Sequence, residues 1–286
     1  MNRPTAPTRW RAGVLALVMA LTTLTAVTVA PEVAAAAGPY SFSMGVFEPR
    51  QLKTTHWNNA NSDAYAPTLE AVVVDDPDAH CWVTLLRTWY VRQPSGEKEF
   101  YLTVQGDTQD RCQVRVYLAG FTKYRESSIG VLAPGQSWRS HWNNAHTDQV
   151  IYLVGVLGEQ TAAGACAVEV TTRYRTNPDG ENEFDYEAVN VGSVACSAKL
   201  LHVSVPVTES HYVGGAPPGG YVGVQGTIGP DGTRIVVVGA VPQTDPDGPC
   251  EFSPEPMEFF ELGAVSADFR NTGSVSCWMT ATFATM

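Results

Sequence analysis

Five consecutive residues, His56-Trp57-Asn58-Asn59-Ala60, recur unchanged as His141-Trp142-Asn143-Asn144-Ala145. The match continues on both sides: Val46, Pro49, Gln51 and Asp63 surround the first copy, and Val131, Pro134, Gln136 and Asp148 stand at the same offsets around the second. A chain that repeats itself at this distance reuses one supersecondary unit, and that constrains every other segment. A third, drifted copy ends the chain. Asn271-Thr272-Gly273-Ser274-Val275-Ser276-Cys277 matches Asn190-Val191-Gly192-Ser193-Val194-Ala195-Cys196, but the His-Trp-Asn-Asn stretch is missing, and Gly226-Thr227-Ile228-Gly229 stands near Gln225 in its place.

The unit is built of strands. Cys112, Val114, Val116 and Leu118 share one face of a segment while Gln113 and Arg115 take the other, and Cys166, Val168, Val170, Thr172 and Tyr174 repeat the pattern. A period of two is a sheet period. Pro94-Ser95-Gly96 and Asn177-Pro178-Asp179-Gly180 supply hairpin turns, and no long helical period interrupts them. Six or seven short strands per copy, with a cysteine on two of them, predict an all-β fold of three tandem antiparallel β-sandwich modules. The pattern resembles immunoglobulin and fibronectin modules, a likeness that implies no function. A trefoil of three repeats competes, but copies of this length are long for a trefoil lobe. The expected boundaries are 38–122, 123–206 and 207–286, with junctions near 119–130 and in the glycine-proline segment 206–221.

Six cysteines are distributed two to a copy at nearly equal spacing. The economical pairing closes each copy on itself: Cys81 with Cys112, Cys166 with Cys196, Cys250 with Cys277. A loop of that size stabilises a small module by about 3–4 kcal/mol on chain-entropy grounds. Zinc is the other common use of cysteine, but no Cys-x-x-Cys occurs and no histidine falls in register across the copies.

Disulfides require an oxidising compartment, and the N-terminus agrees. Arg3, Arg9 and Arg11 precede the apolar run from Gly13 to Val29, and Ala34 to Ala37 follow. This reads as a secretory signal peptide over 1–37, with no membrane insertion after cleavage. The formal charge of −11 argues against nucleic acid and anionic lipid as partners.

The repeated stretch gathers an imidazole, an indole, two amides and a carboxylate. An indole stacks on a sugar ring, and amides with a carboxylate bind its hydroxyls. His56, Trp57, Asn58, Asn59 and Asp63, with His141, Trp142, Asn143, Asn144 and Asp148, are therefore the candidate ligand-binding residues. The competing role is structural, a turn in which asparagine accepts left-handed backbone and tryptophan plugs the core. Other chemistry finds less support. Asp75-Asp76-Pro77-Asp78 and Asp245-Pro246-Asp247 offer calcium ligands, but such turns are common without an ion and the second copy has Ala162-Ala163-Gly164 there. Glu183, Asp185 and Glu187 line one face of one strand, which reads as a solvated face. No nucleophile elbow and no phosphate-binding glycine loop is present. The expectation is a secreted, non-enzymatic binding protein with no metal or other cofactor. Its partner would be an extracellular polysaccharide or cell-surface glycan, or alternatively a secreted or surface protein.

Overall fold

The computed structural model describes residues 36–58, 60, 63–74, 80–106, 110–160, 164, 166–227, 236–243 and 248–285. The leader 1–37 therefore falls outside, apart from Ala36 and Ala37, which open the first strand.

The first copy forms β1 (Ala36–Phe47), β2 (Leu52–Trp57), β3 (Ala64–Val73), β4 (Trp82–Arg92), β5 (Lys98–Gly106) and β6 (Cys112–Phe121). The second forms β7 (Arg125–Leu132), β8 (Ser137–Trp142), β9 (Val150–Glu159), β10 (Val168–Thr176), β11 (Asn182–Asn190) and β12 (Cys196–Pro206). The third forms β13 (Glu209–Ala216), β14 (Tyr221–Thr227), β15 (Val236–Pro242), β16 (Cys250–Pro254), β17 (Met257–Phe260), β18 (Ala264–Asn271) and β19 (Cys277–Thr285). One 3-10 turn, Glu261–Gly263, interrupts the strands, and no α-helix occurs among the described residues. The chain is all-β, and its three disulfides are the three pairs that the spacing predicts.

One pairing scheme recurs. The first and third strands of each copy flank its last strand, giving β1–β6–β3, β7–β12–β9 and β13–β19–β15. The second and fourth flank the fifth, giving β2–β5–β4 and β8–β11–β10; β14 and the pair β16, β17 flank β18. Each disulfide joins the start of the fourth strand to the start of the last, tying the two layers across a shared apolar core.

A buried asparagine fixes the equivalence of the second and third copies. Asn190 Nδ2 donates to Leu132 O and Val194 O, 2.8 Å each, and its Oδ1 accepts from Gly192 N at 2.9 Å. Asn271 makes the same three bonds, to Ala216 O, Val275 O and Gly273 N, at the same lengths. A buried amide with all these groups satisfied is costly to lose.

The sheets are larger than three separate sandwiches would give. Tyr90–Arg92 of β4 pair in parallel with Leu157–Glu159 of β9, and β10 pairs antiparallel with β16. Pro254 and Pro256 part β16 from β17, and β17 runs along β4. The fourth strands of all three copies thus meet in one sheet of 13 strands. Gly155 of β9 makes this approach possible, because a Cβ there would meet the Tyr90 ring at 2.6 Å.

Candidate functional site

β2 and β8 end on the repeated residues, and the ladder decides where each side chain points. Trp57 lies opposite Phe100 and Trp142 opposite Phe184, and both phenylalanines are fully buried. Neighbours on a strand face opposite ways. Each tryptophan therefore turns inward, and His56 and His141 stand exposed. The repeated stretch is divided between interior and surface.

The interior half packs rings. Trp57, half-buried, has Tyr40 at 5.4 Å and Phe42 at 5.7 Å between centroids. Trp142 has four neighbours: Phe184 at 5.6 Å and nearly parallel, Tyr186 at 4.9 Å, Tyr152 at 5.2 Å and His202 at 4.1 Å. Burial, with Arg125 adding to it, lowers the His202 pKa to about 4, so the imidazole against Trp142 is neutral at pH 7.

The asparagines build the turn that follows. Asn144 adopts φ +51°, a left-handed conformation asparagine tolerates. Its amide end lies 2.9 Å from both carboxylate oxygens of Glu181, acceptors that only the NH2 group can face, and Ala145 N donates to Asn182 O at 2.8 Å. Asn58 and Asn143 are exposed, and Asn59 lies outside the described residues.

The two aspartates part company. Asp148 is exposed, whereas Asp63 is buried and its Oδ2 accepts from the Tyr65 hydroxyl at 3.2 Å. The main-chain oxygen of Asp63 accepts from Lys98 Nζ at 2.6 Å. Lys98, fully buried, also donates to Tyr124 Oη at 2.9 Å and lies over that ring. Burial lowers its pKa to about 8, against the opposing pull of Glu126 and Asp63. The second copy carries Asn182 at this register.

The exposed half differs more. His56 stacks on Tyr101 at 5.0 Å, Tyr101 on Trp89 at 5.1 Å, and the Arg87 guanidinium covers Trp89 at 5.3 Å. His56 and Tyr101 are cross-strand partners, as are Tyr101 and Trp89. The stack therefore runs across the strands and its rings cover one another's faces. Arg87 also pairs with Glu169 of β10 at 2.6 Å.

At the same places the second copy has His141, Asp185 and Arg173, again cross-strand partners. Charge replaces rings. Arg139 pairs with Glu187 at 2.9 Å, Arg173 with Glu251 of β16 at 3.1 Å, and Arg175 with Glu183 and with Asp185, the latter at 3.5 Å. Between them lies a groove of about 220 Å³ lined by Arg139, Ser140, His141, Arg173, Asp185, Tyr186 and Glu187. Burial raises the Asp185 pKa, and Arg175 opposes it.

His141 is the one predicted residue that lines this groove. The acidic residues, read from sequence as a solvated face, instead each have an arginine partner, and Glu183 is buried. Counting outward from the Asn177-Pro178-Asp179-Gly180 turn sets Arg175 opposite Glu183 and Arg173 opposite Asp185, so the signal lay in the hairpin register. Among the described residues no three His, Cys, Asp or Glu side chains cluster as metal ligands. The loops 75–78 and 245–247, weighed for calcium, lie outside the described residues. No protein-family model, no curated protein and no solved structure matches the chain.

Proposed function

We propose that the chain is a secreted, non-enzymatic binding protein whose three copies are immunoglobulin- or fibronectin-like sandwiches fused along their fourth strands. Its ligand is an extracellular polysaccharide or cell-surface glycan, held in the groove over β8, β11 and β10. Three disulfides suit an oxidising compartment.

One observation supports the ligand class. Two guanidinium groups, an imidazole and two carboxylates line a single shallow groove. Alternating donors and acceptors match a polyhydroxylated ring, each of whose hydroxyls both donates and accepts. Trp142, turned inward beside His141 on the same strand, packs on Phe184 and Tyr186 and so supports the groove from beneath.

Retention on insoluble polysaccharides and purified cell walls tests this. The wild-type chain should be retained, and the folded Asp185→Asn and His141→Ala variants should be lost from the resin while His56→Ala is kept. Retention of all variants alike, or of none with the wild type, would remove the groove from consideration.

A protein partner is the second reading, favoured by exposed aromatics of the third copy. Trp278 lies against Gly215, where a Cβ would meet the indole at 2.8 Å. Tyr212, opposite Thr280 on the same face, is 62 % exposed. A stable complex lost on Trp278→Ala but kept by His141→Ala would favour it.

A further inference from the structure

The place of Trp57 and Trp142 is occupied in the third copy by a glycine. Phe184 lies six residues before Asn190 and Val265 six before Asn271, and the two asparagines are equivalent by their bonds. The cross-strand partner of Phe184 is Trp142, and that of Val265 is Gly226. The last strands agree. Counted from Cys112, Cys196 and Cys277, Leu118, His202 and Phe283 correspond, and Trp142 lies against His202.

The missing indole leaves a space. A cleft of about 320 Å³ opens between β13–β19 and β14–β18, lined by Glu209, His211, Gln225, Gly226, Phe283 and Thr285, among others. Glu209 and His211 hold the register that Tyr40 and Phe42 hold around Trp57. A Cβ built on Gly226 would make ordinary contacts, 3.4 Å to Val265 and 3.6 Å to Phe283, so the glycine does not answer a steric demand. The floor is Phe283 and Gly226. The rim is polar: Glu209 accepts from His211 at 3.3 Å, and Gln225 and Thr285 stand beside them.

We infer that this cleft binds an indole ring supplied from outside the chain. Two copies of the same scaffold show that the space between these layers takes an indole. The third keeps the strand pairing, sets Phe283 as its aromatic wall with Glu209 and His211 in place of Tyr40 and Phe42, and omits the side chain. An indole N–H donates, and Glu209 and Thr285 offer acceptors at the rim, which a plain hydrocarbon ring could not use. The ring could arrive as a free indole-class molecule or as a tryptophan side chain, and both present the same face and donor. This site is separate from the glycan groove and stands or falls independently of it.

Ligand-observed NMR on the full chain tests the inference with three probes: indole, N-acetyltryptophanamide and naphthalene sulfonate, which lacks the N–H. Indole or N-acetyltryptophanamide should bind wild type, and naphthalene sulfonate at least tenfold more weakly. Preference for indole would point to a free molecule, and preference for the amide to a partner's side chain. Gly226→Trp should fill the cleft from within and weaken indole binding at least tenfold, and Gly226→Leu serves the same purpose if the larger residue does not fold. Glu209→Gln should weaken it severalfold. Unchanged indole binding in the folded Gly226 variants, or none to wild type at millimolar probe, would overturn the assignment.

Discussion

His56 and His141 close equivalent strands with identical neighbours in sequence, yet one crowns a stack of aromatic rings and the other edges a charged groove. The difference lies in residues that the repeat does not contain: Tyr101 and Trp89 in the first copy, Asp185 and Arg173 in the second. Repetition here marks the scaffold, a tryptophan anchor with an asparagine turn. The cross-strand partners mark what each face can do.

The anchors allow the strongest test of that contrast. Trp142→Ala, which removes a partly buried ring with four neighbours, should cost towards the low end of the roughly 3–5 kcal/mol range for buried aromatics. Trp57→Ala, with two ring neighbours in place of four, should cost less. Urea unfolding of both variants measures this, and equal losses would break the contrast.

The buried lysine separates the copies by pH. Lys98 titrates near 8 in the folded chain and 10.5 unfolded, so between these values the unfolded chain holds more protons. Stability from this residue is full above pH 10.5 and is lost as pH falls to about 8. At about 1.4 kcal/mol per unit the effect is roughly 3–4 kcal/mol. Subtracting a Lys98→Met profile from wild type isolates it, and parallel profiles would remove it.

His202 does the converse on the acid side. Its pKa falls from 6.5 to about 4 on folding, so the stability it contributes is present above pH 6.5 and disappears as pH drops towards 4. His202→Leu, which installs the residue of the first copy, should flatten that limb by up to roughly 3–4 kcal/mol. A limb of undiminished slope would assign the acid sensitivity elsewhere.

The smallest effect belongs to the exposed Arg87–Glu169 pair. Arg87→Ala should change stability by less than about 1 kcal/mol, as exposed ion pairs do. A larger loss would show that the aromatic stack beneath the guanidinium depends on it.

Strand segments and cystine pairing were legible because alternation and spacing are local properties of the chain. Cys112, Val114, Val116 and Leu118 had to share a face, and they are all buried. The direction of Trp142 was also legible once Phe184 was paired with it, but reading five polar and aromatic residues as one cluster ignored the strand's period of two. Lys98 was not legible. A lysine after a Pro-Ser-Gly turn reads as solvated, and only the fold brings Asp63 and Tyr124 onto its ammonium. Nor was the joining of the fourth strands, since pairing between distant edges leaves no periodic trace.

The two prolines that split the third copy's fourth strand bear on how the chain acquires its structure. β16 completes an edge of β10 and β17 an edge of β4, yet both are made after nearly all the rest. Until residues 250–260 follow, the inner strands of the first two copies remain open templates on which another chain could add. Closing them needs contacts between remote segments, which are slow to form. A truncation before Cys250 should therefore yield aggregates in place of a shorter folded protein.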